Sequence, residues 1–171
     1  MEIAFARWKL REWRPGDEPA IIKYANNYKI WRNLDDIFPH PYTLEDARHW
    51  IKHCSESQDI QFAITDEREA IGGIGLELQP DIHRLSARVG YWLGEPFWGR
   101  GISSAALGAL VRYAFNSTSL VRIYTIVFEW NPASCRVLEK NGFQREAVMR
   151  RSVLKDGKLI DCFLYALLKP D

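Results

Sequence analysis

The residues with the most chemical potential in this chain run from Tyr91 to Ser104, Tyr-Trp-Leu-Gly-Glu-Pro-Phe-Trp-Gly-Arg-Gly-Ile-Ser-Ser. An aromatic-rich strand leads into a turn holding Gly99 and Gly101, and the turn opens into a helix beginning near Ser103. Glycine lets a backbone pass close to a ligand and take φ > 0. The first N–H groups of a helix lack internal acceptors and stand at the positive end of its dipole. Together these features make an anion site suited to phosphate or pyrophosphate. The plainer reading of the same glycines is a tight turn that only starts a helix.

Two nucleotide motifs fail. A Walker loop needs Gly-x-x-x-x-Gly-Lys-Ser/Thr, which the chain lacks. A dinucleotide fingerprint needs a third glycine where Ser104 stands, and it belongs near the first strand of its fold. Metal chemistry has equally little support. His49 and His53 share one face of an expected helix at i, i+4, but no Glu follows His49. Cys54, Cys135 and Cys162 are scattered and odd in number, so neither a disulfide framework nor a zinc site is indicated.

The elements that must position these groups alternate without a visible linker, and 171 residues are read as one domain, 1–171. Arg7–Trp13 reads as a strand, and Asp17 is the expected cap of a helix from about Glu18 to Ala25. A helical stretch around Trp31 precedes the proline-punctuated loop Asp35–Tyr42. Thr43 and Asp46 form a capping box for Leu44–Cys54. Ile60–Thr65 and Ala70–Leu78 pattern as a hairpin, and Leu85–Leu93 as the next strand.

Leu107, Leu110, Val111 and Ala114 make a helical core stripe, followed by a central strand, Val121–Phe128. Asn131, Pro132 and Gly142 delimit a helix at N-cap, N1 and C′. Strands Phe143–Leu154 and Leu159–Leu168 close the chain around a type I′ turn at Asp156-Gly157. Helices 103–116 and 132–141 connecting successive strands imply parallel pairing. The fold class is α+β, a mixed α/β sheet flanked by helices.

A net charge of +1 offers no global case for nucleic acid or a membrane surface. The N-terminus lacks the sustained apolar stretch of a signal peptide, and apolar runs fall short of the ~18–20 residues of a membrane span. A cytoplasmic, reduced protein is expected. Aromatic residues make up 13%, including 7 Trp, for core packing and for part of a pocket.

Two motifs in fixed order carry a family resemblance: Gly90-Tyr91-Trp92-Leu93 through Gly101-Ile102, and Asn131-Pro132-Ala133-Ser134 through Lys140-Asn141-Gly142-Phe143. Lys155–Asp161 adds a similar closing hairpin. Over nearly the whole chain the sequence resembles the GNAT superfamily of acyl-CoA-dependent N-acetyltransferases, in its RimJ/RimL-like branch. The resemblance implies a central twisted mixed sheet of about six to seven strands, with a bulge that splays two parallel strands to bind acyl-CoA. It implies acetyl-CoA as cosubstrate, an amine acceptor, no metal, and a monomer or homodimer.

By that resemblance the backbone of Trp98, Gly99, Arg100, Gly101, Ile102, Ser103 and Ser104 cradles the CoA pyrophosphate. The family's Gln/Arg position holds Pro96, and Arg100 either contacts a phosphate or points to solvent. Tyr91, Trp92 and Leu93 offer their strand edge to the pantetheine arm and an N–H near the thioester carbonyl, with Asn131 a possible further contact. Acetyl transfer needs a deprotonated amine, a stabilised oxyanion and a proton for the leaving thiolate. Ser134 is the expected donor of that proton, since the RimJ/RimL-like branch also has a serine there, and the tyrosine many relatives place seven residues after the asparagine is Leu138 here. Its plainer role is an N3 serine at a helix start.

Arg88 stands where relatives often carry a carboxylate. Glu77, Glu129, His40 or a water chain are the open alternatives for the general base. Trp31, Asn33, Phe38, His40 and Tyr42 are the expected acceptor-pocket residues, with Asp35 and Asp36 able to attract a cationic amine. The activity so implied is acetyl transfer to a primary amine, a protein N-terminal α-amine or a small molecule. A non-catalytic acyl-CoA-binding or sensing module is the alternative.

Overall fold

Eight stretches of alternating or continuous apolar character are strands in the computed structural model, which describes residues 1–170. They are β1 (Glu2–Phe5), β2 (Trp8–Glu12), β3 (Ile60–Thr65), β4 (Ala70–Leu78), β5 (Ser86–Leu93), β6 (Arg122–Phe128), β7 (Gln144–Lys155) and β8 (Lys158–Leu168). Five helices connect them: α1 (Glu18–Ala25), α2 (Tyr28–Trp31), α3 (Leu44–Glu56), α4 (Ile102–Ser117) and α5 (Pro132–Lys140). The strands form one mixed sheet in the order β1-β2-β3-β4-β5-β6-β8-β7. The expected α+β sheet flanked by helices is present, with eight strands rather than six or seven. The added strand is β1, whose four residues are too few to show a period in the sequence.

The decisive feature lies between β5 and β6. These two strands pair in parallel only from Ser86↔Arg122 to Arg88↔Tyr124. Beyond that point β5 stays with β4 as far as Leu93, while β6 stays with β8 as far as Phe128. The sheet therefore opens into a V. Register between β4 and β5 runs unbroken from Gly72↔Leu93 to Leu78↔Ala87, so the strands part without the expected bulge on that side. Only the α4 crossover produces a direct parallel pair, because β8 inserts between β6 and β7.

Strand alternation gives the V two faces. Ala87, Val89, Leu107, Leu110, Ile123 and Leu138 join one core on the α4 and α5 face. On the opposite face, α1 and α3 pack Ile21, Ala25, Ala47 and Ile51 onto Trp13, Ala63 and Ala70. Thr43 and Asp46 form the expected capping box, Asn131 accepts from the Ser134 N–H at 3.2 Å, and Gly142 is left-handed at φ 83°. Asp156 and Gly157 share the positive φ of a type I′ turn.

Asp17 departs from expectation. It precedes α1 without capping it, because its carboxylate receives two hydrogen bonds from Arg11 at 2.7 Å and one from the Arg14 N–H at 3.1 Å. Both side chains are buried, at 10% and 7% exposure. A buried pair is hard to break from one side, since the remaining charge loses its only compensation. Arg11→Met should therefore lower stability by about 3–5 kcal/mol, roughly 10 °C in Tm. Thermal unfolding of Arg11→Met/Asp17→Leu should recover most of that loss, and equal losses in single and double variants would contradict the account.

Candidate active site

Gly94 ends β5, Glu95–Phe97 make one tight helical turn, and Gly99 and Gly101 both lie left-handed, at φ 74° and 75°. A side chain at Gly99 or Gly101 would meet nothing within 4 Å, so dihedral angle rather than space calls for glycine here. Gly101 is the N-cap of α4, and no side chain caps the helix. The first bond of α4 runs from the Ala105 N–H to the Gly101 carbonyl. Among the described residues, the N–H groups of Gly99 through Ser104 have no intramolecular acceptor. Unpaired donors from the turn and from the first residues of α4 thus gather at one helix N-terminus.

The neighbouring side chains refine this picture. The Trp98 N–H is not free, because it donates to the Glu95 carbonyl at 3.1 Å. Its indole Nε1 donates to the Leu93 carbonyl at 2.6 Å and closes the end of β5. Arg100 folds its guanidinium over Phe97, 5.7 Å from the ring centre. Ser104 is fixed by Asn141, whose Nδ2 donates to both its Oγ and its carbonyl at 3.1 Å. Any side chain on Gly108 would strike Asn141 Oδ1, so that glycine permits the tie between α4 and the end of α5.

Across the mouth of the V, Ser134 meets a partner the sequence did not reveal. Tyr91 projects from β5 on the α4 and α5 face, and its hydroxyl lies 2.7 Å from Ser134 Oγ. Burial pushes the Tyr91 phenol up to about 12, and the bond to Ser134 only partly offsets this. The phenol therefore stays neutral across the physiological range. Leu138 is fully buried core. The phenol that meets Ser134 thus comes from β5 and not from α5.

Arg88, Gly90 and Trp92 project from the other face of β5. Arg88 pairs with Asp35 at 2.7 Å, and Trp92 meets Phe38 with ring centres 6.0 Å apart. On the far arm, the nearly inaccessible Lys155 reaches Asp36 at 2.5 Å and sits 3.7 Å above the Trp31 ring. Tyr28 donates to Asp156 at 2.6 Å, and Lys29 and Asn27 both reach Glu95. The segment from α2 to Phe38 is thus strapped to both arms of the V.

The remaining expected residues divide. Trp31, Asn33 and Phe38 belong to this strap, and His40 stacks on Trp31 at 5.7 Å while staying exposed. Tyr42 is buried in the α1–α3 core, with its ring 5.0 Å from that of Phe38. Asp35 and Asp36 are already paired with cations. Glu77 is exposed and stands opposite Arg88 in register, whereas Glu129, also exposed, follows β6 and accepts the Asp161 N–H of β8 at 3.0 Å. Sequence reasoning also missed Arg32, whose guanidinium lies 4.9 Å from the Trp130 ring centre.

With this geometry in place, comparison with known proteins is decisive for the family. Residues 7–144 match the family described as acetyltransferase (GNAT) domain. The chain is 36% identical over 165 residues to the uncharacterized N-acetyltransferase YoaA of Bacillus subtilis, covering 94% of this chain and 93% of that one. RimL, a ribosomal L7/L12 alpha-N-protein acetyltransferase solved with coenzyme A, superposes with a TM-score of 0.87 at 24% identity over 98% of each chain. The spermidine N-acetyltransferase of Vibrio cholerae, solved with CoA and spermine, gives 0.81 at 24% identity over 95% of each chain.

The protein belongs to the GNAT family of acetyltransferases, and acetyl-CoA is its acyl donor. Among the described residues, no helix is long and apolar enough to cross a membrane, and no group of His, Cys, Asp and Glu is placed to hold a metal.

The Tyr91 shift has a measurable sign. A phenol raised from 10 to about 12 favours the folded state fully below pH 10, and that contribution disappears as pH climbs through about 12. Phenolate absorbance of wild type minus Tyr91→Phe should rise near pH 12. A rise near pH 10 would show an unburied, unpaired phenol.

Proposed function

We propose that the protein transfers an acetyl group from acetyl-CoA to a primary amine, a protein N-terminal α-amine or a small-molecule amine, by direct attack in a ternary complex. The observation that carries this reading is the V between β5 and β6, with free helix-start donors at its mouth and Tyr91–Ser134 across it. The N–H groups of Gly99, Arg100, Gly101, Ile102, Ser103 and Ser104 hold the pyrophosphate, which a helix N-terminus favours on both hydrogen-bonding and dipole grounds. The unpaired edge at Tyr91, Trp92 and Leu93 takes the pantetheine amides as an added strand would. One of its N–H groups polarises the thioester carbonyl, and Asn131 orders the turn that presents Ser134.

Ser134 donates its hydroxyl proton to the sulfur as the C–S bond breaks. Tyr91 donates in turn to Ser134 Oγ, so the serine is never left as a bare alkoxide. The amine enters from the opposite face, under the strap, toward the space above Gly90. Of the candidate bases, Glu77 stands on that face beside Arg88, whereas His40 is engaged by Trp31; the geometry favours Glu77. The RimL likeness supports a protein N-terminal acceptor, and the spermidine enzyme's supports a small amine.

The test is CoA release with a panel of amines. Ser134→Ala should lower kcat by about 100-fold, in the range of a lost general acid, with acetyl-CoA affinity unchanged. Tyr91→Phe should lower kcat by about 10-fold, and the double variant should be little worse than Ser134→Ala because the two act as one relay. Unchanged turnover in Ser134→Ala would remove it from the chemistry. Tight acetyl-CoA binding without transfer to any amine would leave a binding or sensing module.

A further inference from the structure

Four buried side-chain polar atoms have no hydrogen-bonding partner among the described residues, and three belong to Arg32, Asn33 and Trp130. The atoms are Arg32 Nε, Asn33 Oδ1 and Trp130 Nε1; the fourth, on Trp13, lies in the α1–α3 core. An unpaired buried donor or acceptor carries a desolvation cost, and native proteins hold few of them. Arg32 lies against the Trp130 ring and Asn33 is the next residue along the chain, so these three call for a common explanation.

Trp130 follows β6 and directly precedes Asn131, the cap of the turn that presents Ser134. Its ring packs edge-on against Phe128, whose cluster lies on the face of the V opposite α4 and α5. Arg32 at the end of α2 covers the same ring from the strap. Asn33 is adjacent and uses its Nδ2 on the Lys29 carbonyl, leaving Oδ1 unmatched.

The charges nearby narrow the ligand. Asp35 is held by Arg88, and Asp36 by Lys155, so neither loop carboxylate is free to draw in a polycation. Arg32 has no carboxylate partner among the described residues. The unmatched set is therefore two N–H donors, one on a cation, and one oxygen acceptor. That set complements a carboxylate beside an ammonium group.

We propose that Arg32, Trp130 and Asn33 form the acceptor-recognition site and that the acceptor is an amine bearing a carboxylate within a few bonds of its nitrogen. Arg32 Nε and Trp130 Nε1 donate to the carboxylate oxygens, and Asn33 Oδ1 accepts from the amine. The inference rests on the acetyl-transfer reading and specifies its substrate class. It selects an amino-acid-like small molecule over a polyamine, and over a peptide N-terminus, whose neighbouring carbonyl is neutral.

Two measurements test it separately from that reading. In CoA-release assays with L-alanine, L-alaninamide, an alanine tripeptide and spermidine, wild type should favour L-alanine over each of the others by about 10-fold or more in kcat/KM, in line with one charge-assisted contact. Arg32→Gln should erase that preference by raising KM for L-alanine, Arg32→Lys should restore part of it, and acetyl-CoA affinity should not move. Calorimetric titration of N-acetyl-L-alanine into CoA-saturated protein should show binding that Arg32→Gln and Trp130→Phe weaken, whether or not turnover is seen. Transfer that prefers spermidine, alaninamide or the tripeptide, or an Arg32→Gln variant that lowers all acceptors alike, would overturn the proposal while leaving acetyl transfer intact. Product binding indifferent to Arg32 would overturn it independently of any activity.

Discussion

The candidate site depends on one constraint: β5 and β6 stop pairing after Arg88 and Tyr124 while both strands continue. Backbone N–H and C=O groups inside a fold need partners. Where two strands part, a sheet presents an unfilled ladder, and an extended amide-bearing chain can complete it. Alternation along β5 then sorts function by face. Tyr91 turns toward α5 and Ser134, whereas Arg88, Gly90 and Trp92 turn toward the strap. In the proposed reaction, donor and acceptor approach the same backbone from opposite sides.

Holding the V open requires ties on both arms, and the polar contacts supply them. Asn141 locks the start of α4 to the end of α5, so the helix-start donors keep their direction. On the other face, Lys155, buried between Trp31 and Asp36, anchors the strap to the β7–β8 hairpin, while Arg88 and Glu95 anchor it to the β5 arm. Exposed ion pairs contribute little to stability singly. The Lys155 contact is different in kind, because its charge is enclosed and meets both a carboxylate and an aromatic face.

Much of this was legible in the sequence. Gly99, Gly101, Asn131 and Gly142 act through backbone conformation or capping, which residue type reports directly, and each stands where its type implies. The family also follows from the two motifs and their order, whereas the strand order does not: the parallel pair expected across α5 is absent because β8 inserts between β6 and β7. What stayed hidden was contact between distant segments. Nothing in Asp17 says that Arg11 will take it from the helix it precedes. Tyr42 reads as a pocket residue because aromatics in loops often are, yet its neighbours on α1 and α3 bury it. Arg88 looks like the loss of a base, and only the fold shows it gripping Asp35. The Tyr91 phenol was hidden for the same reason, lying 43 residues from Ser134.

In the proposed complex, acetyl-CoA completes the β5 edge and seats its pyrophosphate on the start of α4. Amide hydrogen exchange with and without acetyl-CoA tests this most directly. New protection is expected in Val89–Leu93 and Gly99–Ser104, with α1 and α3 unchanged. Protection absent from both segments, or confined to elements away from the V, would contradict it.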